Sequence, residues 1–236
     1  QGGDLPLHPD ASIFVRQDEG RMGVWRALMT GPLGTPYSLG CFAFDIYCPP
    51  EYPSIPPLLR FLTTAGGTVK FNPNLYADGK VCASLLGTFS GSDASERWDP
   101  KRSSLYQVLV SVQSQLLVEA PFLNEPGYED KAADCAESVE YNARLRLHTL
   151  RHAMAAALRT PPCGFEGVVR AHFGAQRSRV LRQAWAWLRE APTELRARMV
   201  AAIEQLRSLL PPPGAEAAAA ADEDDEGDLE AGEAEA

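Results

Sequence analysis

Short apolar runs, broken at regular intervals by turn residues, occupy the first quarter of the chain. Ile13-Phe14-Val15-Arg16, Val24 to Met29, Cys41 to Cys48 and Leu58 to Thr63 read as strands. The breakers between them are Asp18-Glu19-Gly20, Gly31-Pro32-Leu33-Gly34-Thr35-Pro36 and Pro49-Pro50-Glu51-Tyr52-Pro53. This spacing predicts a four-stranded antiparallel meander, preceded by a polar loop or linker over residues 1–11. Alternation along 41–48 puts Phe42, Phe44 and Ile46 on one face, as a core strand requires, with Ala43, Asp45 and Tyr47 on the other.

The period then changes. Residues 65–101 show none, whereas Leu105, Val108, Leu109, Val112 and Leu116 form one helical stripe within a helix predicted over Ser104 to Glu119. Ser104 with Gln107 gives a capping box at its start, and Pro121 marks its end. Further helices are predicted over Ala132 to Leu158, Phe165 to Phe173 with Gly174 as its stop, Arg177 to Glu190 and Thr193 to Leu209. In the helix beginning at Arg177, Val180, Leu181, Ala184, Trp185 and Leu188 are expected on one side. The fold class is therefore α+β, with packed helices around a meander. The expected organisation is residues 12–160 as a catalytic domain, 161–210 as a helical extension and 211–236 as a disordered acidic tail.

Composition alters this picture mainly through charge. The formal net charge is −9, but ten of the 31 acids lie within residues 211–236, which hold no Lys or Arg. Without that tail the body is near neutral, so no clustered basic surface suggests nucleic acid as a partner. Five cysteines, an odd number with no Cys-x-x-Cys, argue against a zinc site or a disulfide framework. Cys41, Cys48, Cys135 and Cys163 read as small buried apolar residues. His148 and His152 are four apart on one helix face, without a third metal ligand. No apolar run approaches the roughly 20 residues of a membrane span, and no secretion signal opens the chain. The expectation is a soluble cytoplasmic or nuclear protein, with the Gln1 start fitting a piece of something longer.

The aperiodic stretch carries specific residue types rather than solvating ones, as functional loops do. It reads Lys70-Phe71-Asn72-Pro73-Asn74-Leu75-Tyr76, then Gly79-Lys80-Val81-Cys82 and Ser84-Leu85-Leu86-Gly87-Thr88. Asn72-Pro73-Asn74, with Cys82 eight residues after Asn74, resembles the active-site segment of ubiquitin-conjugating enzymes, where His-Pro-Asn is usual. Gly31-Pro32 through Pro36-Tyr37 and Gly40, Tyr52-Pro53 with Pro56-Pro57, and Trp98-Asp99-Pro100 resemble other elements of that family in the same order. The resemblance spans residues 10–130. Asn72 in place of His, the extra residues between Leu86 and Trp98, Gln113 and Asn124-Glu125-Pro126-Gly127-Tyr128 are similar to one branch. That branch holds large hybrids acting as conjugating enzyme and ligase, among them the giant BIR-repeat-containing conjugating enzyme.

The resemblance implies a UBC-like fold, with an active-site loop beside the meander and a C-terminal helical extension. It also implies that Cys82 accepts ubiquitin, or a ubiquitin-like protein, as a thioester from a ubiquitin-activating enzyme and passes it to lysines of protein substrates. Cys82 suits this because a thiolate attacks well and leaves well; about 3% is ionised at pH 7 at an ordinary pKa. Asn74 is a candidate either for stabilising the oxyanion or for holding the loop. Glu125, with Asn124 beside it, is the candidate for orienting the acceptor amine. Lys80 either favours the thiolate or stays solvated, and Asn72, Pro73 and Trp98 are expected to support the loop. Ser54 stands where the family often carries a large ligase-contacting residue, which fits a ligase-independent type. No metal or organic cofactor is expected; ATP belongs to the activating enzyme. The alternatives are a non-catalytic ubiquitin-binding module of the same fold and, from another class, a cysteine protease or deubiquitinase needing a histidine near Cys82.

Overall fold

The computed structural model describes residues 5, 7, 8, 10–89 and 96–212. Most of the acidic tail and part of the segment before Trp98 therefore lie outside the described residues. Among the described residues five strands run in the order β1 (Leu7–His8), β2 (Ala11–Gln17), β3 (Val24–Thr30), β4 (Cys41–Tyr47) and β5 (Leu58–Phe61), each antiparallel to its neighbour. The four predicted strands are present. The additional β1 falls where a loop was expected: two residues carry no readable period, but Leu7 and His8 pair with Ser12 and Ala11.

Register decides which residues meet. Ile13 stands opposite Met29, Met29 opposite Phe42, and Phe44 opposite Phe61, so one face of the sheet is continuously apolar. Helix α1 (Leu105–Leu116) contributes Val108, Leu109, Val112 and Leu116 to the same cluster. Each such side chain, fully buried, contributes roughly 1.5–3 kcal/mol. The capping box forms as predicted: Gln107 N–H donates to Ser104 Oγ (3.4 Å), and Ser104 N–H to Gln107 Oε1 (3.0 Å).

The opposite face is also covered where it begins. Leu28, Cys41 and Ala43 belong to a second cluster with Phe165, Phe173, Trp187, Met199 and Ile203. Those residues come from the C-terminal helices α4 (Glu166–Ala175), α5 (Arg177–Glu190) and α6 (Thr193–Leu209) and the turn before α4. Linking the two clusters is one long helical run: α2 (Ala136–His148), a π-helical stretch Thr149–Ala155, and α3 (Ala156–Arg159). Ala153 packs into the first cluster and Ala155 into the second.

Three expectations change. Helix α4 runs through Gly174, which does not take the left-handed conformation that ends a helix; Gln176 N–H still bonds to His172 O at 2.9 Å. On α5 the buried tryptophan is Trp187, while Trp185 is 43% exposed, because the buried face runs through Val180, Ala184 and Trp187. Of the four cysteines read as buried, only Cys41 is; Cys48 and Cys135 are partly covered and Cys163 is exposed on the turn before α4. Among the described residues no helix is long and apolar enough to cross a membrane.

Candidate active site

The aperiodic stretch folds as a tight hairpin. Leu75 bridges Val81, Tyr76 N–H donates to Lys80 O (3.0 Å) and Cys82 N–H to Asn74 O (2.9 Å). Leu75 and Val81 are fully buried, which fixes the inward face of both arms. Alternation then places Asn74, Tyr76, Lys80 and Cys82 together on the outward face. Gly79 closes the turn with φ +93°, and Asp78 Oδ1 accepts from Lys80 N–H (2.9 Å).

An aromatic chain anchors the start of this hairpin. Tyr37, Phe42, Phe71 and Phe61 meet edge-to-face at centroid distances of 5.6, 5.5 and 5.8 Å, and the Tyr37 hydroxyl donates to Phe71 O at 2.6 Å. Burial pushes the Tyr37 phenol well above its ordinary pKa, so it remains a donor. Asn72, wholly buried, joins the hairpin to the end of α1. Its Nδ2 donates to Leu116 O (2.8 Å) and its Oδ1 accepts from Asn74 N–H (2.8 Å). Asn124 Nδ2 donates to Gln115 O (2.9 Å) and lies 3.4 Å from Asn72 Oδ1. Two of the last carbonyls of α1, which lack helical partners, are thus satisfied by two asparagine amides. This explains why α1 stops at Leu116, before Glu119.

Flanking contacts fix the chain around the thiol. Pro73 is buried beside Asn72. After Cys82, Thr88 Oγ1 accepts from Ala83 N–H (3.0 Å) and donates to Val81 O (2.9 Å). Trp98 Nε1 donates to Pro53 O (2.8 Å) while its ring lies 5.7 Å from that of Tyr52. Cys82 is free and 6% exposed, and opens onto a shallow cleft of about 210 Å³ lined also by Asn74, Ser84, Gln115, Asn124 and Glu129.

Charged side chains also meet around Tyr76 on this face. Glu125 does not line the cleft; its Oε2 lies 3.6 Å from Lys70 Nζ. Lys70 Nζ also sits 4.7 Å from the Tyr76 ring centroid, with Lys80 Nζ at 5.7 Å. The Tyr76 phenol is raised by desolvation first, then by the nearby Cys82 and by the charge of Glu125. Two residues that sequence reasoning missed therefore belong here, Tyr76 and Glu129. The first was readable from alternation in Asn74-Leu75-Tyr76. The second had no sequence signal, since its side chain turns back to accept from Gly127 N–H (2.8 Å).

No histidine lines the cleft, so the imidazole a cysteine protease needs is not brought to it. His148 instead stacks on His152 (5.8 Å) and meets the Phe71 ring at 6.3 Å. Among the described residues no group of three or more ligands could hold a metal ion. Burial, followed by His152 and nearby arginines, lowers His148 to a pKa of about 4. Because unfolding restores its ordinary value near 6.5, stability is full above that value and falls as pH drops toward about 4. With a partly hydrated ring the expected loss is on the order of 1–2 kcal/mol. Urea midpoints from pH 7 to 4 should fall less steeply in His148→Gln, with a residual slope from His152 and His172, whose pKa values are also lowered.

Comparison with known proteins places these residues in context. The family model described as ubiquitin-conjugating enzyme matches residues 5–149. The human dual E2 ubiquitin-conjugating enzyme/E3 ubiquitin-protein ligase BIRC6 is 46% identical over 187 residues, covering 78% of this chain and 4% of that protein. A Caenorhabditis elegans protein named probable ubiquitin-conjugating enzyme protein 17 is 44% identical over 187 residues, covering 78% of this chain and 25% of its own length. The chain thus spans a small part of these relatives. A solved Toxoplasma gondii ubiquitin conjugating enzyme E2 domain is 27% identical, covering 60% of this chain and 89% of that one, with a TM-score of 0.45.

Proposed function

The chain belongs to the ubiquitin-conjugating enzyme family and has its α+β fold, and from that premise we propose that Cys82 carries ubiquitin as a thioester and yields it to lysine. The observation that supports this most is the single outward face holding Cys82 and Asn74, both lining one open cleft. The donor is a ubiquitin-activating enzyme and the acceptors are amines of protein substrates. The identity to a relative named as both conjugating enzyme and ligase supports a self-sufficient hybrid type. A non-catalytic ubiquitin-binding module would have no use for a free thiol at the mouth of that cleft.

The chemistry follows from the groups present. Cys82 attacks the incoming thioester, and its sulfur is later expelled by nitrogen; both steps pass through a tetrahedral oxyanion. Asn74, partly exposed, stands beside the sulfur with its backbone carbonyl engaged by Cys82 N–H, leaving its side-chain amide to face that oxyanion. Asn72 holds Asn74 by its backbone, so the two asparagines divide positioning from chemistry. Glu125 supplies the carboxylate that orients an acceptor amine and takes its proton.

This reading separates two rates. In Glu125→Ala, transfer from the charged enzyme to free lysine should slow by roughly tenfold or more while charging by activating enzyme and ATP stays within about twofold. Single-turnover chase on non-reducing gels measures both. Equal loss in both steps would count against the role of Glu125. If instead Glu129→Ala alone shows the split, the carboxylate lining the cleft holds that role.

A further inference from the structure

Basic charge gathers in the C-terminal helices. Residues 161–210 hold eight arginines against four glutamates, and half of those arginines, Arg177, Arg179, Arg182 and Arg189, lie on α5. Two of the four are engaged. Arg177 Nη1 donates to Leu210 O (2.9 Å) and Pro211 O (2.7 Å), and Arg179 Nη2 to Asp10 Oδ1 (2.5 Å). Arg182 and Arg189 are exposed and have no hydrogen bond or ion pair among the described residues. Two helical turns separate them, so they share one face, and Trp185 stands between them, 43% exposed. Both arginines also line a shallow groove of about 360 Å³ with Leu33, Leu39 and Ala186. The last acid of the helix, Glu190, is taken by Arg146 at 2.8 Å. An exposed indole flanked by two unpaired guanidinium groups suits an extended segment that reads acid, apolar, acid.

We propose that the acidic tail of this chain docks in cis on that face of α5, with Asp228-Leu229-Glu230 set against Arg182, Trp185 and Arg189. Three observations select this occupant. Residues 213–236 hold ten acids and no basic residue, and Leu229 is their one large apolar side chain, with an acid on each side. The tail also starts in the right place: Arg177, the first residue of α5, binds the carbonyls of Leu210 and Pro211. Trp185 lies about 12 Å along the helix from Arg177, at 1.5 Å per residue. The 17 residues from Pro212 to Leu229 span about 20–25 Å at random-coil dimensions, enough to reach Trp185 without being drawn taut. Tethering at this length gives the tail an effective concentration on the order of millimolar, so individually weak contacts suffice. The docked tail then excludes other acidic segments from this face.

The test follows the Trp185 indole N–H signal in nitrogen-15 spectra of the full chain, identified by its loss in Trp185→Phe. The signal should move in a full-length triple variant, Asp228→Asn with Leu229→Ser and Glu230→Gln. In 1 M salt, where the Debye length is about 3 Å, the unmodified chain should give the triple variant's position. A synthetic peptide of residues 213–236 should return the triple variant's signal to its place in the unmodified chain. The same peptide should bind the unmodified chain at least tenfold more weakly, because the tethered tail competes with it. Adding Arg182→Gln and Arg189→Gln to the triple variant should raise the peptide's Kd at least tenfold. A signal identical in the unmodified chain and the triple variant, or peptide bound equally by both, overturns the proposal and leaves the face open to another partner. A difference that fades on dilution of the protein overturns docking in cis in favour of contact between copies.

Discussion

Asn72→Ala is expected to destabilise the protein by about 3 kcal/mol and to slow charging of Cys82 at least tenfold. The side chain is wholly buried, so bulk solvent does not reach its partners. Without it, Leu116 O loses the amide at 2.8 Å and Asn74 N–H loses the oxygen at 2.8 Å. Each buried polar group left unpaired costs about 1–3 kcal/mol, and the vacated volume adds to that. The contact with Asn124 at 3.4 Å also goes, loosening the turn that carries Glu125. Because Asn74 N–H is what Asn72 holds, the loss reaches the cleft directly. For a chain of this size, a loss of about 3 kcal/mol lowers Tm by roughly 6–12 °C. Thermal unfolding and the initial charging rate check both parts. Unchanged charging alongside a large drop in Tm would reduce Asn72 to a purely structural residue.

Gly79→Ala should be comparably damaging. Its φ of +93° is strained for any residue with a side chain, and a Cβ there would lie 2.8 Å from Phe61 O, a backbone atom that cannot swing away. Phe61 N–H bonds to Gly79 O at 2.8 Å, so the turn and strand β5 are fastened together and must shift together. Strain at such a position costs on the order of 1–3 kcal/mol, and the clash adds to it. Relief by movement of the turn would displace Lys80 and Cys82 from the face they share with Asn74 and Tyr76. The expected outcome is a loss of about 2–4 kcal/mol in denaturant unfolding, with charging reduced severalfold even where the protein is fully folded. Gly66→Ala is the fitting control, since its φ is also positive but a Cβ there meets nothing within 4 Å.

Much of this architecture is legible in the sequence. Period-two and helical stripes gave the four main strands and α1, because each buries one face and the pattern records that burial. Ser104 and Gln107 announced the start of α1 through a local capping rule. The end of α1 was not legible, since it is set by Asn72 and Asn124 from distant parts of the chain. The stripe on α5 points to Trp185, whereas Trp187 is the one covered, because tertiary packing along Val180 and Ala184 selects the face and the helix's own pattern does not. Within the site, the motif around Cys82 and Asn74 pointed to the residues that share the cleft. Glu125 follows only from the resemblance to the family, and its pairing with Lys70 depends on a fold-level approach that no local pattern encodes. Glu129 reached the cleft for the same reason, unseen.

The most direct measurement of the central claim is charging with activating enzyme, ATP and ubiquitin, resolved on gels with and without reductant. The unmodified chain should form an adduct that reductant removes. Cys82→Ser should form an adduct that survives reductant and yields to mild base, because serine gives an oxygen ester in place of the thioester. Cys48→Ser and Cys163→Ser, at partly covered and exposed thiols, should behave as the unmodified chain does. A reductant-sensitive adduct that persists in Cys82→Ser, or no adduct under conditions that charge a known conjugating enzyme, would contradict the assignment of Cys82.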